Sequence, residues 1–299
     1  MPAKFGGVLP AVVTPFDDGG NFDERAFERL VEFLYAAGID GLYVCGQTGE
    51  GMQQPPAQRR RVAEAAVRLS PPGKQVIIHV GAQNTAIACD LARHAESAGA
   101  AAVSSLAPSG PYSFDEVVAY YETLARTTSL PLFVYHFPAG SPVIRTIEHI
   151  ERICQIPRVI GLKFTDMDLY MLGELKRTGA VIFNGADEVF AAGLLMGADG
   201  GIGSFYNIVP RLFVEAFQAA RRGDWERARC HQSMINRIIR IGLRYPGHSA
   251  IKQMLAMMGL DCGQCLAPRR PLAPQEERQM RADLIALELP EFQTLPGSG

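Results

Sequence analysis

Lys163 stands near the end of an apolar run, Val-Ile-Gly-Leu-Lys-Phe-Thr at 159–165. An ammonium is costly to bury there, and an uncharged amine is a nucleophile toward carbonyls. Tyr135 stands near the end of another apolar run at 132–136, and the turn Gly-Gln-Thr-Gly-Glu at 46–50 offers the Thr48 hydroxyl, backbone N–H groups and glycines that permit tight or positive-φ backbone. Such a turn suits a carboxylate or phosphate. An amine that captures a ketone, a phenol that moves protons and a cradle for a carboxylate together describe Schiff-base chemistry on a 2-oxo acid. Each residue also has a plain structural reading. Lys163 can pair with Asp166 or Asp168 or reach out of the strand end, Tyr135 can be a buried phenol bonded to a carbonyl, and the glycines can serve geometry alone.

The elements that must position these groups alternate along the chain. Short apolar runs at 7–14, 41–45, 76–80, 101–105, 132–136, 159–163, 181–184 and 200–203 read as strands, separated by segments with helical periodicity. The first helix is expected after Asp23, with Phe27, Leu30, Val31 and Leu34 on one face and Gly38 as its stop. Others are expected over 56–69, 85–98, 113–127, 146–155, 169–177 and 188–196. Eight apolar strands alternating with helices point to a parallel sheet closed as a (β/α)8 TIM barrel, with an open doubly wound sheet as the alternative. From residue 210 helices follow without strands, over 211–222, 224–244, 249–258 and 274–287. The division expected is a barrel over 1–222 and a small helical C-terminal region over 223–299, with the tail at 295–299 frayed.

In such a barrel the residues that end strands gather at one mouth. Here they are Thr14, Thr48, Tyr135, Lys163, Gly185, Asp187 and Ser204. Asp187 and Glu188 also occupy the position of residues that cap and charge-complement a following helix.

Composition narrows the classes of function. The 299 residues carry a net charge of −2, with 47% hydrophobic and 20% charged residues, so there is ample material for a core and no basic field for nucleic acid or anionic lipid. No signal peptide or run of about eighteen apolar residues occurs, which makes a cytoplasmic location the expectation and leaves no membrane partner. Six scattered cysteines read as reduced core residues; only Cys262 and Cys265 have metal or redox spacing, and no second Cys or His pair accompanies them. Neither a metal nor an organic cofactor is expected.

Taken in order, Pro-Ala-Val-Val-Thr-Pro-Phe at 10–16, Gly-x-Thr-Gly-Glu at 46–50, Tyr-His-Phe-Pro at 135–138, Gly-Leu-Lys-Phe-Thr at 161–165, Gly-Ala-Asp-Gly-Gly-Ile-Gly-Ser at 197–204 and Ile-Lys-Gln-Met-Leu-Ala-Met-Met-Gly-Leu at 251–260 resemble the dihydrodipicolinate synthase and N-acetylneuraminate lyase superfamily. The resemblance implies a barrel enzyme that handles pyruvate, with Lys163 as Schiff-base lysine, Tyr135 as proton shuttle and Thr48 as a carboxylate ligand, and it implies a homotetramer. Asp-Leu-Tyr-Met-Leu at 168–172, Phe-Asn-Gly-Ala-Asp-Glu at 183–188 and Ile-Gly-Ser-Phe-Tyr-Asn at 202–207 look like the sialic acid lyase branch, in which Gly185, Asp187, Glu188, Ser204 and Thr165 would contact a polyhydroxylated chain. The expected reaction is class I aldol cleavage of a 2-oxo sugar acid to pyruvate and a sugar-derived aldehyde.

Two departures stand out against that pattern. Gln47, beside Thr48 and Gly49 in the carboxylate turn, replaces a serine or threonine, and Ser109-Gly110-Pro111-Tyr112 replaces an aromatic pair. The synthase branch carries an arginine shortly after its tyrosine, whereas the first arginine here is Arg145. The alternatives are a synthase-like condensation, a 2-oxo-3-deoxy sugar acid aldolase or dehydratase, and a barrel that binds a 2-oxo acid without turnover.

Overall fold

The computed structural model describes residues 5–293. Eight parallel strands, β1 (Gly7–Pro10), β2 (Gly41–Val44), β3 (Gln75–His79), β4 (Ala102–Leu106), β5 (Leu132–His136), β6 (Val159–Phe164), β7 (Val181–Asn184) and β8 (Gly200–Gly203), follow one another around a single sheet. β1 pairs with β8 as far as Pro10, and the next residue, Ala11, bridges to Tyr43 of β2. The first strand is therefore shorter than its apolar run because the chain changes partner there, and that change closes the barrel.

Two cores explain why the strands are apolar on both faces. Leu9, Tyr43, Ile77, Ala102, Phe133, Phe183 and Ile202 fill the barrel interior. Their neighbours along the strands, among them Val8, Leu42, Ile78, Val103, Val134, Leu162 and Ile182, pack outward against the helices.

The surrounding helices form where local signals predict them. In α1 (Glu24–Ala36) the Asp23 side chain accepts from the Ala26 N–H, and Phe27, Leu30, Val31 and Leu34 are buried. α2 (Pro56–Leu69) opens on a proline, α3 (Thr85–Ser97) is capped by Asn84, and α4 (Phe114–Thr127) has a Ser113/Glu116 capping box. α5 (Ile147–Cys154) and α6 (Leu169–Lys176) are capped by Thr146 and Asp168. The helix expected over 188–196 begins instead as a 3-10 turn at Asp187–Val189 and becomes α7 only over Phe190–Leu195. The Asp187 carboxylate is not a cap: it accepts the Phe205 N–H from the loop after β8 at 2.8 Å.

After α8 (Pro210–Arg221), the helices α9 (Trp225–Gly242), α10 (Gly247–Met257), α11 (Pro274–Ile285) and α12 (Pro290–Gln293) fold back over the barrel. Ile235, Ile238, Met254, Leu255 and Leu284 join the same core cluster as the outward-facing strand residues. No described helix is long and apolar enough to cross a membrane. Cys262 is buried and Cys265 half-buried, both free thiols, and the tail at 295–299 lies outside the described residues.

Candidate active site

Parallel pairing puts Tyr135 of β5 directly beside Lys163 of β6, and Lys163 beside Phe183 of β7. Lys163 is 3% exposed and forms no ion pair with any described residue; Asp166 lies 3.4 Å from His136 instead. The lysine Nζ sits 4.2 Å from the Tyr135 ring centre and 4.4 Å from that of Tyr43. Two phenol faces attract the cation only modestly, while the loss of water disfavours it strongly. Burial pulls the Lys163 pKa down to about 7, with the Asp187 charge opposing that shift. A substantial share of the lysine is therefore a free amine at neutral pH.

Burial pushes the Tyr135 phenol well above its usual range, with the Thr165 hydroxyl drawing it partway back. It stays protonated and can pass protons through its hydroxyl, accepting one as it gives another. Asp187 is 6% exposed, and burial raises its carboxyl to about 7. One of its oxygens, Oδ1, has no partner among the described residues.

The Gly46 to Glu50 turn has a different internal logic from the one its glycines suggest. The left-handed residues are Cys45, with φ 59°, and Glu50, with φ 52°, rather than Gly46 or Gly49. The glycines serve close approach: a Cβ on Gly49 would meet the Val12 carbonyl oxygen at 2.8 Å, and one on Gly46 the Tyr43 ring. The Thr14 hydroxyl donates to the Gly49 carbonyl at 2.7 Å, and Gln54 donates to the same oxygen at 2.6 Å. Thr14 is thus spent on supporting the turn.

Inside this frame the N–H groups of Gln47, Thr48 and Gly49 find no acceptor among the described residues. Thr48 Oγ1 lies 2.7 Å from Ser204 Oγ, so the carboxylate and polyol subsites expected from the sequence meet at a shared hydroxyl pair. Gln47 is half-buried, with its backbone carbonyl accepting from Glu50 N at 3.1 Å.

A cavity of about 310 Å³ opens between the loops after β6, β7 and β8 and the start of α10; Lys163, Tyr135 and Thr48 are not among its lining residues. Thr165, Gly185, Asp187, Glu188 and Ser204 all line it, which brings together the five residues expected to contact a polyol. A Cβ at Gly185 would collide with the Thr165 hydroxyl, so the glycine keeps that wall open. The altered segment at 109–112 lies elsewhere: Ser109 donates to Gly140 O at 2.7 Å, and Tyr112 is exposed.

Several site residues are invisible as sequence motifs. Tyr43 forms the second face of the lysine slot, and inward alternation along β2 is the signal that could have found it. The His79 ring donates from Nδ1 to the Cys45 carbonyl at 3.1 Å and accepts the Leu106 N–H at 3.0 Å, which ties the strained start of the turn to β4. On α9, Gln232 donates to Asp187 O at 3.0 Å and Asn236 donates to Glu188 O at 3.0 Å. Forty-odd residues separate these pairs, and no local pattern links them. His248 of α10 also lines the cavity.

Glu50 closes the turn and is fully buried, with Lys252 Nζ at 3.1 Å, Arg269 Nε at 3.7 Å and the Leu266 N–H at 2.8 Å. It joins the turn to the C-terminal helices.

A buried, unpaired lysine between two phenols at the strand ends of an eight-stranded parallel barrel is an arrangement suited to barrel enzymes that act on carbonyl compounds. Residues 4–287 match the dihydrodipicolinate synthetase family, and the chain belongs to that family. It is 38% identical to the N-acetylneuraminate lyase of Salmonella agona over 94% of this chain and 96% of that protein. Among solved structures, the Proteus mirabilis N-acetylneuraminate lyase superposes with a TM-score of 0.88 at 30% identity, covering 95% of this chain and 99% of that one. The Escherichia coli K12 prophage protein YagE, of the same family and solved with pyruvate, superposes with a TM-score of 0.91 at 26% identity over 96% and 100% of the two chains. The chain is a carbon–carbon lyase of this superfamily.

Proposed function

We propose that the enzyme is a class I aldolase that cleaves a polyhydroxylated 2-oxo acid, of the N-acetylneuraminate type, into pyruvate and an aldehyde through a Schiff base on Lys163. The observation that carries this reading is Lys163 itself: a dry, unpaired amine with a pKa of about 7, held 4.2 Å from the Tyr135 ring centre. The substrate carboxylate would sit on the free N–H groups of Gln47, Thr48 and Gly49 and on the Thr48 hydroxyl, replacing its contact with Ser204. The amine adds to the C2 ketone and water leaves, giving an iminium that draws electrons from the chain. Tyr135 takes the proton of the C4 hydroxyl while passing its own to the substrate carboxylate, the C3–C4 bond breaks, and its electrons form an enamine as the aldehyde departs; the proton held on the carboxylate is the one that later reaches C3. Protonation at C3 and addition of water then release pyruvate and the amine.

The polyol assignment rests on Asp187, Glu188, Ser204 and Thr165 in one cavity, a set rich in acceptors and hydroxyls. No arginine lines that cavity, and the Arg145 guanidinium is engaged with Pro142 O at 2.6 Å, which disfavours the acidic aldehyde of a synthase.

Borohydride added in the presence of pyruvate is expected to fix a carboxyethyl group on Lys163, read by peptide mass spectrometry. An active enzyme with unmodified Lys163 would refute the mechanism. Turnover of N-acetylneuraminate against 2-oxo-3-deoxy sugar acids and aspartate semialdehyde then separates lyase from synthase. Tyr135→Phe is expected to cut kcat by about 10²- to 10⁴-fold. Its borohydride labelling should continue, because the amine is unchanged; equal kcat in the variant would remove the phenol from the proton path.

A further inference from the structure

The cavity at Thr165, Asp187 and Ser204 draws its lining from two unlike sources, the strand-end loops and the C-terminal region. The loops after β6 and β7 supply Asp166, Asp187 and Glu188, all of them oxygen acceptors when ionised. The C-terminal region supplies Leu243, Gly247, His248 and Ile251, and of these only His248 has a side chain able to donate a hydrogen bond. No ion pair or hydrogen bond ties the His248 ring to any described residue, in contrast to the five other histidines. Burial and the positive charges of Arg269, Lys252 and Lys163 hold its pKa down to about 4, so the ring is neutral with one N–H and one lone pair. In the same cavity Asp187 Oδ1 is buried and unpartnered.

A neutral donor–acceptor ring on one wall of a cavity and carboxylates on another are the complement of an uncharged chain of hydroxyls. Each hydroxyl can give its proton to a carboxylate and take a hydrogen bond from the imidazole. A second carboxylate on the substrate would meet Asp166 and Glu188 instead. We propose that His248 is a specificity-determining residue, holding the distal hydroxyls of the substrate chain so that long polyol aldehydes are preferred to short ones. This rests on the reading of the site as a polyol 2-oxo acid lyase.

The test runs the reaction in the condensation direction, with pyruvate and either N-acetylmannosamine or glyceraldehyde, for the parent, His248→Phe and His248→Asn. Loss of one desolvated hydrogen bond is expected to raise KM for N-acetylmannosamine about tenfold in His248→Phe. Little change is expected in kcat or in KM for glyceraldehyde, which ends short of the ring. His248→Asn, which keeps a donor and an acceptor, should recover part of the loss, and it carries the test if the phenylalanine variant does not fold. Equal losses for both aldehydes, or none for either, would overturn the assignment, as would a parent that condenses neither. Borohydride labelling with pyruvate is measured on all three proteins: absence of label in the parent counts against the Schiff-base reading itself, whereas a labelled parent with unaltered aldehyde preference in the variants counts only against His248.

Discussion

Lys163→Met is expected to abolish turnover and, at the same time, to make the protein more stable. The proposed nucleophile has no substitute at its position, so the loss should be at least about 10⁴-fold in kcat, the scale on which removal of a covalent nucleophile acts. Stability moves the other way because the native fold pays for an unpaired buried amine. In the native state its pKa is about 7; in the unfolded chain it is about 10.4. Between those values the unfolded chain binds a proton that the folded protein does not, so parent stability climbs with pH across that window. Below about pH 7 the penalty is complete, and above about pH 10.4 it is gone. Methionine has a stem of similar shape without the charge, so the variant should melt higher than the parent at pH 6 and at nearly the same temperature at pH 10.5. Thermal melts across that range check the prediction, and a variant that melts lower at pH 6 would mean that the lysine is held by partners. In the parent, the same titration predicts that kcat/KM rises with pH through about 7 as the free amine appears.

Glu50→Ala has the largest expected effect on stability alone. Its carboxylate is fully buried and faces both Lys252, itself 3% exposed, and Arg269. Removing the anion strands two cations and the Leu266 N–H, and breaking a buried pair in this way costs about 3–5 kcal/mol. Urea unfolding should register that loss as a lower midpoint. Glu50→Ala combined with Lys252→Met should recover a large part of it, since the second change removes the uncompensated charge. Additive losses in the double variant would show that Lys252 contributes packing over Phe16, whose ring centre lies 4.2 Å from its amine, rather than ion pairing.

The barrel was readable because the strands are apolar on both faces and five of the barrel helices, α1 and α3 to α6, carry their own side-chain caps, so the alternation of elements is a local property of the chain. Lys163 and Tyr135 stood out for a related reason: a lysine or a phenol at the end of an apolar strand asks for an explanation, and the structure sets the two side by side, while their chemical roles belong to the proposal. Asp187 was ambiguous because a carboxylate after a strand is also a good helix cap, and only the Phe205 N–H decides between the two. Tyr43 was legible only as an inward-facing strand residue, and Gln232 and His248 could not be read at all. Their importance lies in which distant residue they meet, and the chain carries no local record of that meeting. The turn at 46–50 was expected to use its glycines for tight or positive-φ backbone. They serve the tight approach, and Cys45 and Glu50 take the positive φ, held there by His79 and by Lys252 with Arg269.

That last arrangement bears on the order in which the protein becomes competent. A left-handed non-glycine residue costs of the order of 1–3 kcal/mol and persists only when its surroundings enforce it. Half of the enforcement at this turn comes from residues 252, 266 and 269, far along the chain from Lys163 and Tyr135. A nascent chain that has emerged only to Arg222 already holds the amine, the phenol and the turn, yet Glu50 has none of its partners. The buried lysine therefore precedes the fixed form of the turn at 46–50 during synthesis, and the proposed site matures only when the last helices dock.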